Sequence, residues 1–233
     1  MAKDVIIALD FPDAQRALAF LDTLGDERPY VKIGMELYYA EGPDMVRRIV
    51  DRGHQVFLDL KIHDIPNTAA GAARSVSRLG ASMINLHAGG GITMMRAAAD
   101  ALRDTPGEPP LLIAVTMLTS LNQDALTHEL LIARPVQDAV LHYASNAKAA
   151  GLDGVVCSPH EARPVHDLLG DAFLTVTPGV RFAEDAVGDQ QRVTTPDMAA
   201  RLGSDYIVVG RPITKANNPL EAYRRCRDAF VGI

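Results

Sequence analysis

The chain has 233 residues, 48% of them hydrophobic and 22% charged. That is enough apolar sequence to bury a full core, with too modest a charge content for wholesale disorder. The net charge of -6 excludes a broad electrostatic footprint for nucleic acid, but it allows a local basic pocket for one phosphate.

The first apolar run, residues 5–9, ends at Asp10 and is too short for a signal segment or a membrane span. Only two cysteines occur, Cys157 and Cys226, with no CxxC pair, so the expected setting is a reducing cytoplasm and the expected state soluble. In chain order, short runs rich in Val, Ile and Leu predict strands at 5–9, 30–35, 55–60, 82–87, 111–117, 154–157, 173–177 and 206–210. Such runs suit strands buried on both faces. Amphipathic stretches predict helices at 12–24, 43–52, 66–79, 93–103, 135–150, 159–169, 196–202 and 219–231. Most open at a proline, which a first helical turn tolerates. Gly25, Gly53, Gly80, Gly151, Gly170 and Gly203 stand where left-handed backbone stops a helix. Eight strand–helix units of about thirty residues each match the size of a βα step. They predict one domain over residues 1–233, an α/β fold of the (β/α)₈ TIM-barrel type, with a doubly wound open sheet as the alternative. No GxGxxG follows the first strand, where Leu9-Asp10-Phe11-Pro12 stands, and this argues against a dinucleotide fold.

A barrel places its chemistry at the C-terminal strand ends. Those ends carry Asp10, Lys32, Asp59, Lys61, Asp64, Asn85, His87, Thr116, Thr119, Pro178, Arg181, Gly210 and Arg211. Charges inside apolar strands are costly unless paired. Asp59 and Lys61, two residues apart, share a face of a regular strand, with Leu58 and Leu60 on the other. A structural ion pair is the plainer reading; Lys32 on the neighbouring strand extends it to a chain of alternating charges. A second signal is Thr177-Pro178-Gly179-Val180-Arg181 with Val209-Gly210-Arg211-Pro212. The loops after strands seven and eight are the usual phosphate site of this fold, and paired arginines supply forked donors. The competing reading is two arginines solvating the rim. The long polar segment 182–195, which includes Gln190, reads as a lid or as an unstructured surface loop.

Other patterns carry less. Ala88-Gly89-Gly90-Gly91 reads as a tight turn, with anion binding the minority view. His160-Glu161 begins like a zinc-protease helix, but Pro164 occupies the second histidine position. The seven histidines show no metal-ligand spacing. Cys157 beside His160 reads as a buried small hydrophobe rather than a nucleophile.

Asp59-Leu60-Lys61-Ile62-His63-Asp64-Ile65-Pro66-Asn67-Thr68 closely resembles the active-site signature of the orotidine 5′-phosphate decarboxylase family. Its Asp-x-Lys-x-x-Asp core is shared with keto-gulonate-phosphate decarboxylases and hexulose-phosphate synthases. Further pieces resemble the family in order: Ala8-Leu9-Asp10, Val31-Lys32-Ile33-Gly34, Asn85-Leu86-His87-Ala88, Met117-Leu118-Thr119-Ser120, the two phosphate loops and Gly188-Asp189-Gln190. The resemblance implies conversion of orotidine 5′-monophosphate to uridine 5′-monophosphate and CO₂ without metal or organic cofactor, in a homodimer where Asp64 and Thr68 reach the partner's site. It implies Lys61 as the group that stabilises and protonates a C6 carbanion, with Asp59 and Asp64 beside it. Asp10 and Lys32 would hold the ribose, Thr119 would lie near the pyrimidine, and Gln190 would bridge base and phosphate. Pro178, Arg181, Gly210 and Arg211 would form the phosphate site. The alternatives are a Mg-dependent sugar-phosphate decarboxylase or aldolase and a non-catalytic nucleotide-binding barrel.

Overall fold

The computed structural model describes residues 3–184 and 194–232. Its eight strands are β1 (Asp4–Ala8), β2 (Tyr30–Gly34), β3 (Val56–Ile62), β4 (Met83–His87), β5 (Leu111–Val115), β6 (Gly154–Val156), β7 (Leu174–Pro178) and β8 (Tyr206–Val209). Each pairs in parallel with the next, and β8 returns to β1, closing the barrel. Closure removes the open-sheet alternative.

The helices are α1 (Ala14–Asp22), α2 (Met35–Glu41), α3 (Pro43–Asp51), α4 (Pro66–Ser77), α5 (Gly91–Arg103), α6 (Gln123–His128), α7 (Val136–Ala149), α8 (Pro159–Leu169), α9 (Pro196–Arg201), α10 (Arg211–Thr214) and α11 (Pro219–Val231). A 3₁₀ turn, Ala88–Gly90, precedes α5, in keeping with the tight-turn reading of that glycine run. Helices α2, α6 and α10 were not expected from the sequence. Met35 starts α2 instead of ending a strand, and Met117 lies beyond the end of β5. The six expected helix stops all take positive φ, from +61° at Gly25 to +94° at Gly203.

Burial explains why the strands read as unbroken apolar runs. One cluster fills the barrel: Ile6, Ala8, Tyr30, Phe57, Met83, Ile113, Val176 and Val208. The alternate positions, among them Val5, Ile7, Val31, Val56 and Leu58, pack outward in a larger cluster that includes helix residues. Strand alternation thus serves two cores, and the alternate polar positions of β7, Thr175 and Thr177, are buried with hydrogen-bond partners in Asp205 and Ser204. Among the described residues no helix is long and apolar enough to cross a membrane.

Candidate active site

The inward positions continue past the barrel core into charged residues. On β1 the series Ile6, Ala8 leads to Asp10; on β2 Tyr30 leads to Lys32; on β3 Phe57 leads to Asp59. Val176 leads likewise to Pro178, and Val208 to Gly210. Asp10, Lys32, Asp59, Pro178 and Gly210 line one cavity of about 350 Å³ at the C-terminal end of the barrel, with Lys61, Thr119, Arg181 and Arg211. Such a volume suits a small ligand.

Four ions cross this cavity in alternating sign. Lys32 Nζ lies 3.1 Å from Asp10 Oδ1 and 3.3 Å from Asp59 Oδ2, and Lys61 Nζ lies 2.7 Å from Asp59 Oδ1. Their formal charges cancel, which makes a buried row tolerable. Asp10 is exposed, whereas the Lys32 and Asp59 side chains are only 12% and 10% exposed. Burial works against the Lys32 ammonium, but Asp59 and Asp10 outweigh it and raise its pKa. Burial also opposes the Asp59 carboxylate; Lys32, Lys61 and the Asn85 amide reverse this and hold its pKa below the ordinary value. Both groups are therefore ionised at neutral pH.

The expected meeting of Asp59 and Lys61 is present, but simple alternation along a regular strand does not produce it. The β3–β4 register shifts between Leu58 and Ile62, and Lys61 has φ of 52°, a left-handed backbone uncommon outside glycine. Holding a lysine there costs on the order of 1–3 kcal/mol, which surrounding contacts must offset. The Lys61 N–H donates to Asn85 Oδ1 at 2.8 Å. Asn85, noted at a strand end but given no role from sequence, is almost wholly buried.

Asp64 and Thr68 do not line this cavity. Both are exposed, Asp64 in the β3–α4 loop and Thr68 in the first turn of α4. Thr116 is buried and donates to the Val156 carbonyl. His87 stacks near His63, with ring centroids 5.4 Å apart; burial, then His63 and Lys61, lower its pKa. At the phosphate loops, Gly179 has φ of 85° and Val180 bridges to Thr194. Gly210 caps α10, and Arg211 begins it. Gln190 lies outside the described residues, as does most of the expected lid. Burial pushes the Cys157 thiol far above its ordinary pKa, which fits an inert core residue. The apolar lining from Phe57, Val115, Val156 and Val208 was hidden in sequence, because inward and outward strand positions are equally apolar.

The model of the orotidine 5′-phosphate decarboxylase / HUMPS family matches residues 3–226. A Bacillus cytotoxicus protein named orotidine 5′-phosphate decarboxylase is 48% identical over 236 residues, spanning 100% of this chain and 99% of that protein. The solved structure of the Lactobacillus acidophilus orotidine 5′-phosphate decarboxylase is 42% identical, with a TM-score of 0.88 over 98% of this chain and 99% of that one. An uncharacterized conserved protein from Geobacillus kaustophilus is 44% identical, with a TM-score of 0.87 over 97% and 99% of the two chains. With the match running nearly end to end and Asp10, Lys32, Asp59 and Lys61 gathered at the barrel mouth, the chain belongs to the orotidine 5′-phosphate decarboxylase / HUMPS family.

Proposed function

We propose that this chain, acting as one barrel domain in the cytoplasm, converts orotidine 5′-monophosphate to uridine 5′-monophosphate and CO₂, the closing step of pyrimidine nucleotide synthesis. The observation that carries this reading is the Lys61 ammonium, 2.7 Å from the Asp59 carboxylate in a cavity that also holds Arg181 and Arg211. Full-length similarity to decarboxylases supports the same substrate.

Loss of CO₂ from C6 leaves a carbanion in the plane of the pyrimidine, poorly delocalised into its carbonyls. A positive charge fixed beside C6 answers that need, and Lys61 supplies it and then the proton. One unit charge at about 4 Å contributes about 4 kcal/mol at an effective dielectric near 20. Enzymatic accelerations demand about 8–23 kcal/mol, so one contact is insufficient. The remainder comes from binding energy of the distant phosphate, held by Arg181, Gly210 and Arg211 beside Pro178. Asp59 keeps Lys61 charged and aimed, Asp10 and Lys32 hold the ribose, Thr119 lies near the base, and Gln190 links base to phosphate. Asp64 and Thr68 serve the partner's cavity in a homodimer, a role that suits their exposure and their absence from the lining of their own.

The test is the absorbance change of orotidine 5′-monophosphate mixed with purified protein in EDTA. Turnover is expected undiminished by the chelator; no absorbance change with or without the chelator would favour the metal-dependent sugar-phosphate chemistry, and binding of the nucleotide without CO₂ release a non-catalytic barrel. Lys61→Ala is expected to abolish turnover with an unchanged circular dichroism spectrum. Near-normal turnover in that variant rules out the assignment of Lys61.

A further inference from the structure

Strand β4 brings no charge to the ion row, yet its Asn85 is 1% exposed and uses both ends of its amide. Nδ2 donates to Asp59 Oδ1 at 2.7 Å, and Oδ1 accepts the backbone N–H of Lys61 at 2.8 Å. The partners dictate this orientation, since a carboxylate only accepts and a backbone N–H only donates. Asp59 Oδ1 is also the oxygen that holds Lys61 Nζ, at 2.7 Å. A ring therefore closes: Lys61 backbone, Asn85 amide, Asp59 carboxylate, Lys61 ammonium. It closes where the β3–β4 pairing shifts and where Lys61 has its left-handed φ.

We infer that Asn85 is a positioning residue for the decarboxylation, clamping the strained backbone of Lys61 to the same carboxylate that holds its ammonium. The inference rests on the decarboxylase reading above. Without the amide, Lys61 is free to relax toward extended backbone, which swings its side chain, and Asp59 loses the donor that orients its Oδ1. A buried polar residue that served the fold alone would affect stability without altering the alignment of the ammonium.

Asn85→Ala is expected to lower kcat about 100-fold, the scale of a misplacement near 1 Å, with KM little changed because the phosphate loops are untouched. Asn85→Asp supplies a sharper readout. Its carboxylate would stand against Asp59, and like charges sharing a site raise one carboxyl pKa. Once protonated, that side chain again donates to Asp59 and accepts from Lys61. The other ionisable groups facing this position are Lys61 on β3, Lys32 on β2, and His87 on β4 with His63 beside it; β5 presents Ile113 and has no ionisable residue. The ratio of mutant to wild-type kcat is expected to rise as pH falls from about 8 to about 6. A flat ratio, or an Asn85→Ala kcat close to wild type, overturns the clamp. Absence of turnover in the wild type rejects the decarboxylase reading instead, and the clamp is then judged by the crystal structure of Asn85→Ala. Lys61 leaving the left-handed region supports it; an unmoved Lys61 overturns it.

Discussion

Asp59 touches two ammonium groups and an amide, so the charge of the site and the stability of the barrel are linked through one carboxyl. Burial opposes its ionisation, but Lys32, Lys61 and Asn85 hold its folded pKa below the ordinary value. A depressed folded pKa means stability that is complete above the unfolded value of about 3.9 and lost as pH falls through the folded one. Thermal melts between neutral pH and about pH 3 should show a steeper acid loss for wild type than for Asp59→Asn, and parallel curves would contradict the link. Lys32 runs the other way. Its folded pKa is raised, so its contribution is complete below about 10.4 and fades as pH climbs through the higher folded value. In the proposed reaction Arg211 acts at the far end of the substrate. Arg211→Ala should therefore weaken phosphate-dependent binding, seen as a higher KM and lower kcat/KM, whereas unchanged values of both would remove Arg211 from the phosphate site.

At the scale of elements, the end of β2 shows how backbone choice governs the ion row. A Cβ added at Gly34 would sit 3.0 Å from Lys32 Nζ and 3.5 Å from Asp10 Oδ1. The lysine head can yield, so Gly34→Ala is expected to fold but to shift Lys32 away from Asp10, lowering turnover while the melting temperature changes little. Unchanged kcat and KM in Gly34→Ala would show that the close approach is incidental. The strands were legible because each is a short apolar run, and several helices because prolines open them and glycines close them. Helix α2 was not legible: it follows β2 directly at Gly34, with no side-chain cap to mark its start. Helix α6 did carry a signal, since Asn122 caps it by accepting from the Ala125 N–H, but six residues leave little periodicity to read. The acid–lysine pair on β3 was legible from spacing, whereas the left-handed Lys61 and its Asn85 partner were not. Both arise from the irregular pairing of β3 with β4, which is a tertiary property.

For the molecule as a whole, closure of the barrel is what brings strands one to three and five to eight around one cavity, and β6 is its shortest stave, only Gly154–Val156. Gly154 pairs with Ile113 on one side and Leu174 on the other. A Cβ at Gly154 would stand 2.4 Å from the Leu174 carbonyl oxygen and 2.6 Å from its Cβ. Both are parts of the neighbouring strand that no rotamer change can move, so an alanine must push β6 from β7. A closed sheet has no edge at which to absorb that shift, and it spreads to the adjoining pairs. Overpacking of this kind costs typically about 1–3 kcal/mol. In a chain of this length each kcal/mol lowers Tm by roughly 2–4 °C. Gly154→Ala should accordingly melt roughly 2–12 °C below wild type by calorimetry. Val156, on the same strand, lines the cavity, so the surviving folded protein should also bind substrate less well. A melt within a degree of wild type would mean that β6 and β7 do not meet as tightly as this seam requires.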